Sequence, residues 1–267
     1  MDTKAIQHAS QLIRQADALI IAAGAGMSVD SGLPDFRGSR GLWTTLLHED
    51  MHERDLHAWT QGRCFEADPT QAWRFYGEAL RVCEKAVPHA GHGLLLDWAR
   101  RKPHGAFVYT SNVDGHFEAA GFAPERIVEC HGSIRHFQCA RPCSPHIWPA
   151  MPMSDAPLLP RCRRCGALAR PNFLLFSDPA WVVARTNAQR LRMETWRAGP
   201  RNPVVIEIGA GLALPGVRMF AQSLRLPLIR VNDDAAEIHG AATVALHGRA
   251  LDVLQDIDQE LARVHAQ

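Results

Sequence analysis

The stretch "IIAAGAGMSVDSGLPDFRG", residues 20–38, joins an apolar run to a glycine turn and then to an acidic, an aromatic and a basic residue in succession. An apolar strand entering glycines at the start of a helix is the common entrance to a nucleotide-binding α/β fold. The ordinary dinucleotide fingerprint also needs a third glycine for close helix–strand packing, and an acidic residue at the end of a second strand about 20 residues on. Here Val29 takes the third position, and no strand-like run precedes Glu49 or Asp50. What remains is a strand ending in Gly24-Ala25-Gly26, whose amides at a helix start can hold phosphate, followed by Asp35-Phe36-Arg37. In that loop Phe36 can cover a reactive ring and exclude water, and Arg37 can grip phosphate or orient a ribose. The alternative for the same stretch is a tight structural turn with a buried Phe36 and a surface Arg37.

Working outward, helical spacing of Ile6, Ala9, Leu12, Ile13 and Ala16 leads into the strand-like run 18–23. Further β-rich runs lie at 106–109, 126–128, 204–208, 228–231 and 243–246, with helical patterns between several of them. Leu251, Leu254, Ile257, Leu261 and Val264 form a closing amphipathic helix. Continuously apolar strands alternating with helices predict an α/β fold with a parallel sheet covered on both faces. Two blocks break the pattern: residues 39–100, rich in Trp and His and largely helical, and residues 136–175, which carry clustered cysteines and many prolines. They are read as insertions that build a smaller module beside the sheet.

With 267 residues the chain is long enough for one large domain carrying a satellite. Its 29 basic and 28 acidic residues leave a net charge of +1, which gives no footprint for nonspecific binding to nucleic acid or an anionic membrane. The longest apolar run, residues 18–27, is about half of the ~20 residues a membrane span requires. Asp2 and Asp17 flank it where a signal peptide needs basic residues, so a cytoplasmic protein is expected. Seven cysteines, four of them clustered, suit a metal site in a reducing compartment better than a disulfide framework.

Four further stretches carry chemistry. "TSNVDGHFEAAG" follows the run 106–109, and ligands of open α/β sheets bind beyond the carboxyl ends of strands. The amide of Asn112 and the carboxylate of Asp114 can together hold a carboxamide such as that of nicotinamide; the alternative is an Asx turn entering a helix. "IVECHGSI" delivers His131 at a strand end, a candidate general base among 14 histidines. Surface roles suit His8, His146 and His265, and His92 is expected to serve a helix start. Cys139-x3-Cys143 and Cys162-x2-Cys165, separated by residues 144–161, fit one structural tetrahedral zinc rather than a redox switch, with Arg141, Arg161, Arg163 and Arg164 offsetting the thiolate charge. Cys64, Cys83 and Cys130 read as ordinary buried thiols. Finally "VVIEIGAGLALPG" is a second strand entering a glycine turn, and a later strand ends at Val231-Asn232-Asp233, where Asn232 can meet a ribose hydroxyl.

In this order, GAGxSxxSGxPDFRG, TxNxDG, HG, two cysteine pairs, GxG after a strand and a late VN, the chain resembles the sirtuins, the NAD-dependent protein-lysine deacylases, from about Ile6 to Leu254. The resemblance implies a Rossmann-like doubly wound sheet with a smaller zinc-binding and helical domain, and a cleft between them where NAD meets an acyl-lysine peptide. It divides the chain into residues 1–38, 101–135 and 176–267 for the NAD-binding domain, with 39–100 and 136–175 as the insertions. It makes His131 the general base and places Asn112 and Asp114 at nicotinamide. Ala23, Gly24, Ala25, Asp35, Phe36 and Arg37 then contact the cofactor, and Gly209, Ala210, Gly211, Asn232 and Asp233 hold its adenosine half. Nicotinamide leaves, the acyl group passes to the ribose, and NAD is consumed without hydride transfer. The products implied are nicotinamide and O-acetyl-ADP-ribose; the alternative is protein ADP-ribosylation or NAD hydrolysis in the same cleft. A zinc-ribbon module binding DNA or a protein is a third reading, opposed by the near-zero net charge.

The chain departs from the family pattern at several positions. Ser111 stands where a Gln usually meets the nicotinamide ribose, His116-Phe117 where Leu-His is usual, and Gly211 where Ser is usual. The peptide-pairing strand reads Phe176-Ser177-Asp178 instead of Phe-Gly-Glu. Tyr76 stands at the position where sirtuins specific for acidic acyl groups bind the acyl carboxylate, but Ala79 replaces their arginine, which favours a neutral acyl group such as acetyl.

Overall fold

A computed structural model of the chain describes residues 2–33, 56–152, 154, 159–234 and 242–265. Helix α1 (Thr3–Gln15) leads into strand β1 (Ala18–Ala23), and a single turn, α2 (Gly26–Val29), follows the glycines. Helices α3 (Leu56–Trp59), α4 (Cys64–Ala67), α5 (Pro69–Lys85) and α6 (Ala90–Arg100) precede β2 (Ala106–Thr110), α7 (His116–Ala119) and β3 (Ile127–Glu129). Then come β4 (Gly132–Cys139), β5 (Ile147–Pro149) and β6 (Ala169–Phe173). The chain continues through α8 (Ala184–Arg197), β7 (Pro203–Ile208), α9 (Gly216–Ser223), β8 (Leu228–Asn232), β9 (Val244–His247) and α10 (Ala250–His265).

Six strands pair in parallel in the order β3-β2-β1-β7-β8-β9. This is the doubly wound Rossmann order, in which the connections diverge from the two central strands and leave a crevice at their carboxyl ends. Every residue of β1 is buried, which is why the run lacks the polar alternation of a one-faced strand. Leu19, Ile21 and Ala23 face one hydrophobic core, and Ile20 and Ala22 face the other. The first core is closed by α1, α6 and α10. Ser10 of α1 donates to the Ile257 carbonyl (3.4 Å), and the Trp98 indole of α6 donates to Asp258 (2.8 Å). The second is closed by α8 and α9 through Met193, Val217 and Ala221. Each fully buried side chain of Ile or Leu size contributes about 1.5–3 kcal/mol relative to exposure.

Strands β2, β3, β8 and β9 each run one residue beyond the apolar pattern, to Thr110, Glu129, Asn232 and His247. The ladder continues there because polar residues still pair through the backbone, as Ala23↔Thr110, Thr110↔Glu129 and Asn232↔His247 show. Of these polar strand ends, Asn232 lines the cavity at the carboxyl edge of the sheet. A second difference concerns α6, which falls inside the helical insertion as divided at residue 100. Its Leu95, Trp98 and Ala99 pack into the same core as β1, β2 and α10, so the helical block of the smaller module ends in packing terms before Ala90. The start of α6 is capped by His89, whose Nδ1 accepts from Gly91 N (3.1 Å); His92, expected in that role, is buried within the first turn.

The smaller module has its own antiparallel sheet, β5-β4-β6, which the sequence pattern does not announce. Strand β4 carries Arg135, His136 and Gln138, and β6 contains Pro171, so neither reads as a β-run. Tertiary contacts supply what propensity lacks: Trp73, Tyr76 and Leu80 of α5 pack on Ile134, Phe137 and Phe173, and the Trp73 indole donates to Ala169 O (2.9 Å).

Two glycine turns at the centre of the large sheet touch backbone to backbone. A methyl group on Gly24 would lie 2.5 Å from the Gly209 carbonyl oxygen, and one on Gly209, whose φ is +59°, would lie 2.5 Å from the Gly26 backbone. We therefore predict that Gly209→Ala destabilises the chain by about 2 kcal/mol or more, since it adds left-handed strain to an unavoidable clash. Urea unfolding checks this, and an unchanged midpoint would contradict it.

Candidate functional site

The carboxyl ends of β1, β2, β7 and β8 open onto a cavity of about 640 Å³. Its walls include Gly24 and Ala25 after β1, Ser111 and Asn112 after β2, His131 after β3, Gly209 to Gly211 after β7, and Asn232 and Asp233 at the end of β8. Leu174, Leu175 and Phe176 close it from the side of the smaller module, facing Ala213 and Leu214. The predicted residues of the cleft that are described thus converge, except Ala23, Asp114, Tyr76 and Ser177. Asp35, Phe36 and Arg37, like Glu49 and Asp50, lie outside the described residues. Ala23 and Asp114 sit behind the wall, Tyr76 is elsewhere, and Ser177 follows Phe176 at the rim without being among the described residues that line the cavity.

The glycine turn is stitched internally. Gly24 N donates to Ile208 O (2.9 Å), Gly26 N to Gly209 O (3.1 Å), Met27 N to Gly24 O (3.0 Å) and Ser28 N to Ala25 O (2.9 Å). These amides, expected to be open to phosphate, already have carbonyl acceptors because α2 is one tight turn pressed against β7. Ser28 then anchors the next loop. Its hydroxyl donates to Asp114 Oδ2 (2.7 Å) and accepts from Asn112 Nδ2 (3.0 Å), which also donates to Gly24 O (2.9 Å). Asp114 Oδ1 accepts from His116 N (2.9 Å). Each carboxylate oxygen of Asp114 thus already accepts one bond from the protein, and of the expected pair only Asn112 is among the described residues that line the cavity. Its Oδ1 is buried without a hydrogen-bond partner in the protein. A buried acceptor is costly unless something donates to it. Asn112 is a lining residue of the cavity, and a primary amide or other N–H donor that reaches this oxygen would meet that need.

His131 is half-buried at the end of β3. Helix α8 holds the strand just before it: Arg185 forms an ion pair with Glu129, Gln189 Oε1 accepts from Glu129 N (3.1 Å), and Thr186 donates to Glu129 O (3.1 Å). Burial raises the Glu129 carboxyl above its ordinary range, although Arg185 works against it. On the other side, His131 O accepts from Leu174 N (2.8 Å). Gly132 follows because its φ is +78° and an added methyl would sit 2.2 Å from Asn172 O; only glycine lets β4 meet β6 so closely behind the histidine.

On the opposite wall, Phe176 is half exposed, and its backbone bonds to Thr60 and Gly62 (3.0 and 2.9 Å). Ser177 adopts a left-handed φ of 47°, where the family pattern has glycine. The Asp178 side chain is fully buried and pairs with Arg170 through both oxygens, with Arg170 Nη1 to Oδ1 at 2.9 Å, and accepts from Leu175 N (3.3 Å). The Ser-Asp departure thus builds an internal tie for the segment 174–178. Tyr76 lies in the core of the smaller module, fully buried and stacked on Phe65 with centroids 5.2 Å apart, and its hydroxyl donates to Trp59 O (2.6 Å). Its alignment with a substrate-binding position does not place it in the cavity wall. Asn232 borders the cavity, but its amide donates to Ala210 O (3.2 Å) and its Oδ1 accepts from Asp234 N (2.9 Å). Ser28 and Ser31, quoted in the motif without a role, are the residues sequence reasoning passed over; Ser31 Oγ accepts from His89 N (3.0 Å).

The four cysteines expected to bind zinc come together, with all sulfurs within 4.8 Å of one another. Four sulfurs about 2.3 Å from a tetrahedral zinc lie about 3.8 Å apart. Cys139–Cys165 and Cys143–Cys162 are each 3.7 Å apart. The four thiols do not shift alike: burial pushes Cys139 up to about 12, whereas at Cys162 burial is outweighed by the amides of Cys165 and Arg164, which bring it down to about 7, so it is the geometry of the four sulfurs that fits a metal. The four cysteines are positioned to hold one zinc ion, and Arg141, expected to offset their charge, instead pairs with Glu66 (3.9 Å). The purified chain should carry about one zinc per molecule, and Cys162→Ser should lose it together with several degrees of melting temperature. Elemental analysis with thermal melting decides this; a metal-free native chain would contradict it.

Behind the Asn112 loop, three buried imidazoles meet edge to face: His89 and His92 at 4.6 Å and His92 and His116 at 5.7 Å between centroids. Burial, with the two neighbouring rings adding, brings His92 down to about 3. The folded chain therefore binds fewer protons here than the unfolded chain between pH 6.5 and 3, so the stability His92 contributes as a neutral ring is present above 6.5 and lost as pH falls. Between pH 7.5 and 5.5 the loss from His92 alone is about 1 kcal/mol. Melting temperatures at the two values should differ less in His92→Leu than in the native chain; equal differences would exclude His92 as a source.

The sequence profile of the Sir2 family matches residues 24–195. NAD-dependent protein deacetylase 1 of Geobacillus kaustophilus is 31% identical over 250 residues, 92% of this chain and 94% of that protein. NAD-dependent protein deacylase 2 of Pseudomonas aeruginosa is 27% identical over 257 residues, covering 95% and 96% of the two chains. A crystal structure of a Sir2 homologue in complex with NAD superposes with a TM-score of 0.75 at 24% identity, over 99% of this chain and 95% of that one.

Proposed function

The chain belongs to the Sir2 family, and from that premise we propose that it removes acetyl groups from lysine side chains of proteins, consuming NAD and releasing nicotinamide and O-acetyl-ADP-ribose. The observation that carries this reading is the convergence of His131 and the buried, unpartnered Asn112 Oδ1 on one cavity at the Rossmann switch point. NAD brings a carboxamide whose N–H groups suit the Asn112 acceptor, and ribose hydroxyls for a base.

In this reading each residue has a limited task. Asn112 orients the carboxamide, and Asp114 and Ser28 fix the Asn112 amide so that only its oxygen faces inward. His131, held by the α8 clamp and by Gly132, accepts a ribose hydroxyl proton as the acyl group passes to the sugar. The Gly209–Gly211 turn, Asn232 and Asp233 frame the adenosine half. Phe36 and Arg37 keep the roles the family resemblance implies, covering the reacting ring and holding phosphate. The zinc site, remote in function from the reacting atoms, stabilises the smaller module through a closed four-sulfur shell. Acetyl-lysine reaches the ribose past Leu174, Leu175, Phe176 and Leu214, an apolar wall. Among the described residues lining the cavity there is no Lys or Arg to meet an acyl carboxylate, which supports a neutral acyl group. The domain division at residues 38, 100, 135 and 175 stays part of this proposal, with α6 packed on the larger body. A cytoplasmic location is proposed from the seven unpaired cysteines, four of them suited to metal; no helix of the described residues is long and apolar enough to cross a membrane. The relatives are named for deacetylation or deacylation, which weighs against ADP-ribosylation or NAD hydrolysis as the main outcome.

The test is nicotinamide release from NAD with and without an acetyl-lysine peptide. Release should require the peptide, match its deacetylation one to one, and fall by about 10²–10⁴ in His131→Ala, the usual worth of a general base. Release that ignores the peptide and survives the substitution would overturn the proposal.

A further inference from the structure

Glu207, the fifth residue of β7, is buried at 1% exposure between two guanidinium groups. Across the ladder it faces Arg230 of β8, which forks onto it with Nε–Oε1 at 2.6 Å and Nη2–Oε2 at 3.1 Å. That pair alone neutralises the carboxylate and engages both of its oxygens. The second guanidinium, Arg218 of α9, approaches Oε1 at 3.5 Å while Nη2 donates to the Ala210 carbonyl (3.0 Å). Arg218 thus reaches both the buried carboxylate and the turn after β7, and two observations show what the second contact holds. The Ala210 carbonyl is also the acceptor of the Asn232 amide (3.2 Å), so one carbonyl ties α9, the β7 turn and the end of β8. Gly209, Ala210, Gly211, Val217 and Asn232 all line the cavity.

Resting on the reading that this cavity binds NAD, we propose that Arg218 is a positioning residue for the adenosine half of the dinucleotide, acting through the Ala210 carbonyl. Without the Nη2 bond the turn from Gly209 to Gly211 loses one of two donors that set its height against β8, and the cavity wall relaxes. The lining contains no Lys or Arg among the described residues. The guanidinium one residue beyond Val217 therefore also places positive charge behind a wall that a diphosphate must approach.

The experiment uses the full chain and its Arg218→Met and Arg218→Lys variants, in which Glu207 keeps its Arg230 fork. Calorimetry measures Kd for NAD and for ADP-ribose, kinetics separates KM for NAD from kcat, and melting reports the fold. Arg218→Met should weaken NAD and ADP-ribose by the same factor, about tenfold for loss of a charged hydrogen bond. Its kcat at saturation should stay within about twofold, and inhibition by nicotinamide alone should be unchanged, because the effect lies in the adenosine half. Arg218→Lys, which keeps the charge but has a single nitrogen to serve both Glu207 and the Ala210 carbonyl, should recover part of the affinity. Native affinity in Arg218→Met, or kcat and nicotinamide inhibition falling together with melting temperature, would overturn the proposal. Should Arg218→Met fail to fold, Arg218→Lys decides, and native Kd values in it would do the same. A native chain that binds neither NAD nor ADP-ribose would instead remove the NAD reading on which the proposal rests.

Discussion

Everything at the carboxyl edge of the large sheet depends on the backbone contact between the turns after β1 and β7. Gly24 and Gly26 meet Gly209 at distances no side chain tolerates, and Gly26 N donates to Gly209 O at 3.1 Å. This close approach sets the two central strands as floor and wall of one cavity instead of two separate loops. It also explains why the glycines cannot be read as a phosphate cradle alone: several of their amides are spent on holding the two turns together. The cavity sits at the topological switch point because there the connections part and leave a crevice beyond the strand ends.

From this contact outward, polar groups are used twice: once to bond the protein, and once to determine which atom is left for a ligand. Ser28 occupies Asp114 and one hydrogen of Asn112, Gly24 takes the other, and only Asn112 Oδ1 remains. Glu129 is consumed by α8 so that the chain two residues later can carry His131 in a fixed place. Asp178 is consumed by Arg170, which shapes the segment Leu174–Phe176 without placing a carboxylate in the cavity. Buried charged groups thus act here through geometry. Their worth lies in which direction they leave a neighbour facing, since a buried pair by itself adds little net stability.

The smaller module shows a different economy of information. Its four cysteines are recognisable by spacing because a tetrahedral metal sets both the number and the separation of its ligands. Its sheet is not, since β4 and β6 carry Arg, His, Asn and Pro at buried or half-buried positions. Arg170 and Asn172, both fully buried in β6, bond to Asp178 and to Gln138 respectively. Such partners lie far apart in sequence or on other elements, and no local pattern points to them.

By itself the sequence determined the class of fold, the order of the strands' apolar runs, the four-cysteine metal set and the stretches that gather at one crevice. These follow from local rules: periodicity, glycine before a helix, and ligand count. The tertiary structure decided which atoms of those stretches are available. It took Tyr76 into a core, Asp114 behind the wall and Asn232 into a tie with Ala210, moved helix Ala90–Arg100 onto the large sheet, and brought Arg218 and Arg230 to one carboxylate. The physical reason is that each polar side chain has few bonding sites. Whether a neighbour from another element fills them is settled only when the elements pack.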